Sequence, residues 1–494
     1  MPTLRTTLND PDEIARRSRP RDDLMVLERR DGDGRFVGAE GPFRTWHRSL
    51  TRVEDGTAVE TVTYRTAAPH WGWLVDQALR RPARTGVAPG HHPVWCPSDR
   101  IGQHEAAVLG LCATLALIAG FLGGLLGQTI TYIAHDFGGS TETQANALTI
   151  IRVGAVLTFA GTALADHRGR RPLLLACLVG SGVASIVTML APNFATVTGS
   201  QLVSRGLVAG AAYLVPIVCA EELPARSRAY GIGLMALPGG LGVGIVLWFV
   251  PLLDLGDWVW RSLFGLAIPM IWLTIRTVRR LPETHRFEHD DRLPHEHEHQ
   301  HVRANRFVLL AAGMFLLNIF TAPTQQLQTD YLRNTRGLGS ALVALFILGT
   351  NTWGFVGIAV GARIADRSSR RWAATAGLLG LAIGNTVMFN FDGAPMWLGS
   401  LVGSMVGAAV VPSLGALLPE LFPTLRRGAA NGLLNGAAVL GSMSGLYISG
   451  QTVVDGRYGP TIAALAVGPL IVAGLVWFLP ETAGVDLETL NPDD

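Results

Sequence analysis

The chain has 494 residues, of which 49% are hydrophobic, and its 40 basic and 38 acidic side chains leave a formal net charge of only +2. This near balance excludes nucleic-acid binding driven by bulk positive charge. The mean hydropathy of +0.31 indicates instead that much of the chain lies in a membrane.

Residues 1–103 form a polar region ahead of the apolar part of the chain. They begin Met1-Pro-Thr-Leu-Arg5 with no apolar run, so we expect no cleaved signal peptide. Turn residues separate short alternating segments, which predicts a small α+β region with strands and one helix over 71–81. The predicted strands are Leu24–Arg29, Arg35–Gly38, Trp46–Val53 and Thr57–Arg65. Its sequence contains no paired carboxylates or nucleophile set, which favours a structural or docking module over a ligand sensor or an enzyme.

Twelve apolar stretches follow, each long enough to cross a hydrocarbon layer of about 30 Å as a helix. The first, Ala106–Ala134, is apolar and free of Asp, Glu and Arg. Many glycines within these stretches are compatible with membrane helices, where they allow close helix packing. The predicted spans are 106–134, 145–165, 172–191, 196–219, 229–252, 260–278, 306–328, 341–364, 372–390, 395–418, 428–450 and 460–479.

Three motifs occur twice at intervals of about 200 residues, in the same order. Residues 165–173 read ADHRGRRPL and residues 365–373 read ADRSSRRWA; an E-x2-P-x3-R frame lies at 221–228 and at 420–427; and Leu-Pro-Glu-Thr lies at 281–284 and at 479–482. Such spacing indicates a duplication. We therefore predict an all-α membrane protein with two six-helix bundles, at 104–280 and 306–480, joined by a linker at 281–305 and followed by a tail at 481–494.

The distribution of arginine predicts the orientation. Most arginines in the loops and at the span ends fall on the side that carries the duplicated motifs, whereas the opposite side has only Arg261, Arg333, Arg336 and Arg457. The positive-inside rule places the motif side, and with it both termini, in the cytoplasm. The protein is then a multi-pass protein of the cytoplasmic membrane, the inner membrane of the cell.

The linker contains a histidine-rich tract, with His295, His297, His299 and His301 at alternate positions. Alternating imidazoles can chelate a borderline metal ion, but nothing around them predicts a rigid scaffold. We expect a solvated linker with no metal site, and we expect no cofactor elsewhere.

The two six-helix repeats, D-x-x-G-R-R at 166–171, its copy at 366–371 and the other repeated frames resemble the major facilitator superfamily, most closely its sugar-porter and metabolite-symporter branch. This resemblance implies a secondary active or facilitative transporter, not an enzyme, that moves a small organic solute across the membrane by alternating access. It leaves two alternatives, a drug or metabolite efflux antiporter and a non-transporting receptor on the same fold. Besides its substrate, the protein would contact membrane lipid, and as a symporter it would bind a proton as the coupling ion. Sugar porters often carry an acid linked to proton coupling where this chain has Leu122.

The resemblance also assigns gating roles to the duplicated charged residues. The predicted gating residues are Asp166, Arg170, Arg171, Glu221 and Arg228 in the first half and Asp366, Arg370, Arg371, Glu420 and Arg427 in the second. Carboxylates and guanidinium groups at a water interface can form and break ion pairs readily, which suits a cytoplasmic gate. The alternative is that these charges only fix the topology.

Two arginines lie deep inside predicted spans, well away from the span ends, Arg152 in the second span and Arg205 in the fourth. Placing a charged side chain inside the hydrocarbon layer costs free energy, so such residues mark functional sites by default. Polar side chains of the first and seventh spans complete the predicted substrate site, which would suit an anionic or carboxylate-bearing solute. Those side chains are Gln128, Thr129, Asn318, Gln325 and Gln328.

Overall fold

The computed structural model describes residues 2–32, 34–53, 57–87, 97, 99–168, 170–224, 227–256, 258–282, 304–367, 369–420, 427–453 and 456–481. Within these ranges the backbone alone is described for residues 155–168, 220–221, 228–230, 232, 304–305, 363, 366–367, 416–420 and 427–432. The histidine tract and residues 482–494 of the predicted tail lie outside the described residues.

The amino-terminal region folds as a five-stranded antiparallel sheet with short helices, here called the amino-terminal module. The strands are β1 (Thr3–Leu8), β2 (Leu27–Arg30), β3 (Arg35–Glu40), β4 (Phe43–Arg52) and β5 (Ala58–Thr66), in the order β1-β5-β4-β3-β2. Two elements were not predicted from the sequence, helix α1 (Pro11–Arg17) and strand β1, which pairs with β5. The single helix predicted over 71–81 is two, α2 (Gly72–Ala78) and α3 (Arg80–Thr85).

A buried arginine organises one side of this sheet. Arg48 is 1% exposed, and its guanidinium donates to Glu28 Oε2 at 2.6 Å and to Glu60 Oε1 at 3.2 Å. The same group also donates to the carbonyls of Arg17 and Arg19 and lies 4.1 Å from the centre of the Phe36 ring. The charge of Arg48 is thus matched by two carboxylates.

The rest of the described chain is helical. The first half contains α4 (Gln103–Asp136), α5 (Thr141–Arg168), α6 (Arg170–Met189), α7 (Phe194–Glu222), α8 (Arg228–Phe249), α9 (Trp260–Gly265) and α10 (Ala267–Val278). The second half contains α11 (Ala304–Gln326), α12 (Ser340–Asn351), α13 (Gly354–Arg367), α14 (Arg370–Asn390), α15 (Ala394–Met405), α16 (Val410–Glu420), α17 (Arg427–Thr452), α18 (Tyr458–Leu465) and α19 (Val467–Leu475).

Every predicted span coincides with helix, and four of the spans are each made of two helices. Those four are α9 with α10, α12 with α13, α15 with α16, and α18 with α19. Within the described ranges, nine helical segments are long and apolar enough to cross a membrane. The predicted fold class, an all-α membrane protein with a small α+β region at its amino terminus, is confirmed.

The two halves meet along α5 and α17, whose small residues allow close contact. A Cβ atom built on Gly450 would lie 2.7 Å from Cβ of Ala145. We call the end of the bundle where α4 begins the terminal end. The opposite end, formed by the connections after α4, α8 and α11 and by the residues around them, is called the distal end.

Candidate functional site

Glycines bring the two intramembrane arginines together. A Cβ on Gly154 of α5 would lie 2.0 Å from the carbonyl oxygen of Leu202, and one on Gly206 of α7 would lie 2.5 Å from that of Gly154. Only glycine permits this backbone approach. Arg152 and Arg205 lie close to these contacts in the sequence, so packing of α5 against α7 draws both guanidinium groups to one place.

Both arginines line a cavity of about 20 Å³, here called the arginine cavity. Its other walls come from α4, including Leu122 and Gly127, and from Gln326 at the end of α11. The two arginines are half-buried, and no described residue forms a hydrogen bond or ion pair with either. A space of this size holds about one water molecule. An organic solute therefore enters only when the surrounding helices separate.

A larger cavity lies nearer the terminal end, between α4, α7 and α8. It has a volume of about 350 Å³, and Ala119 and Pro216 are among the residues that line it. On both α4 and α7, the residues that line this larger cavity lie nearer the terminal end than the residues that line the arginine cavity. The site is thus next to open space on the terminal side.

The structure separates the remaining predicted binding residues. Thr129 donates to the carbonyl of Leu125 in its own helix, and Asn318 donates in the same way to Met314. Gln328 is buried, with its amide 3.6 Å from the sulfur of Met388, and Gln325 is exposed. Gln128 adjoins the cavity-lining Gly127, and its Oε1 atom is buried with no hydrogen-bond partner among the described residues.

Two glutamines of the arginine cavity were missed from the sequence, Gln201 and Gln326. Gln201 lies one helical turn before Arg205, a spacing that could have been noticed. Gln326 lines the cavity while its neighbour Gln325 is exposed, because successive side chains on a helix point about 100° apart. A Cβ on Gly127 would lie 3.3 Å from Oε1 of Gln326, so this amide lies close to α4. Through Gln326 the second half contributes a side chain to the site.

The halves are fastened to each other at the distal end by a group of residues that we call the distal latch. Asp254, which follows α8, accepts from Arg333 Nη1 at 2.9 Å and from Ser340 Oγ at 2.6 Å. Its other oxygen accepts from the backbone N–H of Ser340 at 2.8 Å, at the N-terminus of α12, where amide groups lack intrahelical partners. The Tyr132 hydroxyl pairs with Ser340 Oγ at 2.7 Å.

A second part of the distal latch centres on Asp330, which is 1% exposed. From the first half its carboxylate accepts hydrogen bonds from Thr141 at 3.0 Å and from Gln144 at 2.9 Å. From the second half it accepts from Asn334 at 2.7 Å and from the Tyr458 hydroxyl. Asp330 was not predicted from the sequence as a site residue, and it lies just beyond the predicted seventh span.

At the terminal end, the described contacts of the predicted gating residues stay within one half. Arg171 donates to the carbonyls of Val278 at 3.0 Å and Arg279 at 3.2 Å, at the end of α10. The backbone N–H of Arg370 donates at 3.1 Å to Glu481 of the second Pro-Glu-Thr motif, and Arg371 N lies 3.5 Å from that carboxylate. Arg170 is half-buried. The side chains of Asp166, Glu221, Arg228, Asp366, Glu420 and Arg427 lie outside the described residues.

The sequence model of the Major Facilitator Superfamily matches residues 112–361 and 307–490. Among curated proteins, the chain is 31% identical to monosaccharide-sensing protein 1 of Arabidopsis thaliana over 185 residues, which is 36% of this chain and only 25% of that relative. It is 21% identical to the glucose transporter GlcP of Staphylococcus epidermidis, over 76% of this chain and 94% of the relative. It is 25% identical to the cis,cis-muconate transport protein of Acinetobacter baylyi, over 72% of this chain and 91% of the relative.

The fold also matches solved transporter structures. The inward-open xylose transporter XylE of E. coli superimposes with a TM-score of 0.64 at 17% identity, over 78% of this chain and 99% of that one. The match confirms the two-bundle architecture. The amino-terminal module falls outside the residues matched by the family model.

Proposed function

The chain belongs to the Major Facilitator Superfamily and is a multi-pass membrane protein that transports a small organic solute, and we propose that this solute is an organic anion held between Arg152 and Arg205. Transport, rather than catalysis, follows from the family. The identity of the solute is the proposal.

The observation that carries this proposal is the pair of arginines in one cavity with no described carboxylate beside them. Two cations withdrawn from water repel each other and are costly to bury without a counter-charge. A bound carboxylate would relieve both costs through charge-assisted hydrogen bonds. Leu122, which stands where sugar porters often have an acid, lines the same cavity. That replacement leaves the guanidinium groups available to a substrate.

The similarity to the muconate transport protein supports the same class of substrate, since muconate is a dicarboxylate. A neutral sugar is the second candidate, favoured by the similarity to GlcP. The amides of Gln201 and Gln326, which line the cavity, would donate to hydroxyl groups as well as to carboxylates. The two candidates differ in whether affinity depends on the arginine charges.

We further propose that the distal end faces the outside of the cell and that both termini are cytoplasmic, as the arginine distribution predicts. In this orientation the distal latch closes the outward path, and the cavity of about 350 Å³ lies on the cytoplasmic side. Alternating access then requires the latch to open while the duplicated motifs close the terminal end. The predicted gating residues of both halves, from Asp166 to Arg427, would perform that closure.

Uptake by the purified protein reconstituted in liposomes tests the proposal. We expect saturable uptake of small mono- and dicarboxylates, with little uptake of glucose or xylose at the same concentration. Uptake of neutral sugars alone would refute the anion proposal and favour the second candidate. Solute extrusion driven by an imposed proton gradient would identify an efflux antiporter, and binding without translocation would identify a receptor.

A pH gradient across the same liposomes tests coupling. Because Leu122 replaces the acid of sugar porters, we expect uptake without accumulation above the external concentration when the inside is made alkaline. Concentrative uptake of a dicarboxylate under that gradient, beyond the uptake by protein-free liposomes, would establish proton symport and require another coupling carboxylate.

A further inference from the structure

A cavity of about 430 Å³ lies between the amino-terminal module and the first half, away from the arginine cavity. The module contributes Trp71 and Leu74 to its wall, α4 contributes Gly110 and Ala113, and α8 contributes Leu237. Phe355 of α13 adds a contact from the second half. Any ligand here would touch the module and both halves together.

All side chains that line this cavity are apolar. The one polar side-chain atom among them, Nε1 of Trp71, already donates to Thr114 Oγ1 at 3.0 Å. Recognition would therefore rest on hydrocarbon contact alone, while the volume lies in the range of small-molecule sites. A polar or charged metabolite would lose its hydration with nothing in return.

The cavity exists because α4 and α8 separate toward the terminal end. Deeper in the bundle they touch, since a Cβ on Gly120 would lie 2.0 Å from the carbonyl oxygen of Gly239. Closer to the terminal end, a loop of the module lies against α4, where a Cβ on Gly110 would lie 2.8 Å from Cδ of Pro69. The loop and the diverging helices enclose the space between them.

The depth of the cavity places it in the leaflet on the terminal side. The membrane span that begins in α8, Gly233–Leu255, has 23 residues and is about 35 Å long, close to the thickness of a hydrocarbon layer. The lining residues from Leu234 to Leu241 lie about 2 to 12 Å from the terminal end of this span. These distances correspond to the acyl-chain region of one leaflet.

The open side of the cavity is bordered by apolar side chains that are exposed. Leu74, Leu237, Leu241 and Phe355 line it, with exposed fractions between 39% and 48%. Beside them, Trp73 of α2 is 73% exposed. Exposed leucines on a membrane helix face lipid, and tryptophan is enriched at the membrane interface. The cavity is thus continuous with the hydrocarbon of the bilayer.

We propose that this cavity binds one acyl chain of a phospholipid from the leaflet on the terminal side. The bound chain fills the gap between α2, α4 and α8, and holds the amino-terminal module against the transporter. This site is independent of the arginine cavity and of what is transported.

Photocrosslinking of the full-length protein in nanodiscs tests this site, with a phospholipid that carries a diazirine at the end of one acyl chain. A chain terminus otherwise lies near the bilayer centre, so labelling of residues 71–79 requires the chain to enter the cavity. We expect labelled peptides from 71–79 and from 234–241. Ala113→Trp and Leu237→Trp each fill the cavity and should lower the label on 71–79 at least fivefold.

The matched control is Leu342→Trp, because Leu342 is exposed on α12 and does not line the cavity. It should leave the label on 71–79 unchanged. Absence of label on 71–79, or label that both cavity-filling variants leave intact, would overturn the proposal. Labelling by a diazirine fatty acid but not by the phospholipid would also overturn it and identify a free fatty acid as the occupant.

Discussion

Arg48 in the amino-terminal module and the pair Arg152 and Arg205 in the first half are arginines withdrawn from water in different ways. Arg48 is buried and bound to Glu28, Glu60 and two carbonyls. The pair is half-buried, shares one cavity and has no described partner. Under the proposed function, a guanidinium whose hydrogen bonds are all satisfied maintains the fold, whereas a pair without partners is available to a ligand. The presence of partners, more than burial, then distinguishes the structural arginine from the two proposed to bind substrate.

The largest effect is expected from Arg48→Met, which leaves the buried carboxylate of Glu28 without a counter-charge, whereas Glu60 keeps its ion pair with Arg17. Removing one partner of a buried ion pair costs about 3–5 kcal/mol. Hydrogen exchange of β2, β4 and β5 in the full-length protein should accelerate by more than a hundredfold. Arg65→Met is the matched control, since Arg65 is exposed on β5. If both variants exchange at the wild-type rate, the buried ion pairs do not stabilise the module.

The next effect concerns how the arginine pair is assembled. Gly154→Ala places a methyl group against the carbonyl of Leu202 and should force α5 away from α7, at a cost of about 1–3 kcal/mol. We expect uptake to fall at least tenfold and the melting temperature to drop. Gly199→Ala on α7 is the control, because nothing lies within 4 Å of a Cβ at that position. Normal uptake by the Gly154 variant would show that the pair does not depend on this contact.

The smallest effect of the series is expected from Asp254→Asn in the distal latch. The Asp254–Arg333 pair is partly exposed, so screening limits the loss to about 1 kcal/mol. Electron–electron distance measurements between spin labels at positions 138 and 337 should show a larger population of separated distal ends.

The matched control for the latch is Asp392→Asn, because Asp392 pairs with Arg336 within the second half. This variant should leave the distance distribution unchanged. Equal broadening in both variants would mean that surface charge in general, rather than the contact between halves, holds the distal end closed.

The sequence predicted the membrane architecture because its signals are local and repeated. Long apolar runs and motifs such as Asp166–Arg171 are visible without any contact information. The strand β1 escaped prediction because it consists of a short, half-polar segment, Thr3–Leu8, whose partner β5 lies more than fifty residues away. Nothing in its own composition indicated that pairing.

Part of the candidate site was predicted because its signal is also local in the sequence. Arg152 and Arg205 are conspicuous in apolar helices, and the structure brings both into one cavity. Gln326 lines the cavity and Gln325 is exposed because of how α11 is rotated about its axis relative to the neighbouring helices. The sequence alone does not give that rotation. The distal latch depends on contacts between halves, such as that of Asp254 with Ser340, and no sequence pattern encodes them.

The proposal that the arginine pair binds an anion is tested most directly by comparing the affinity of one charged and one neutral ligand in a single variant. Isothermal titration of purified wild-type protein and Arg205→Gln would use a small carboxylate and its amide analogue, with Arg152→Gln as a second variant. We expect the dissociation constant of the carboxylate to rise more than tenfold, about 1.4 kcal/mol, and that of the amide to stay within twofold. If both ligands weaken equally, or only the amide binds, Arg205 is a structural residue and the anion proposal is wrong.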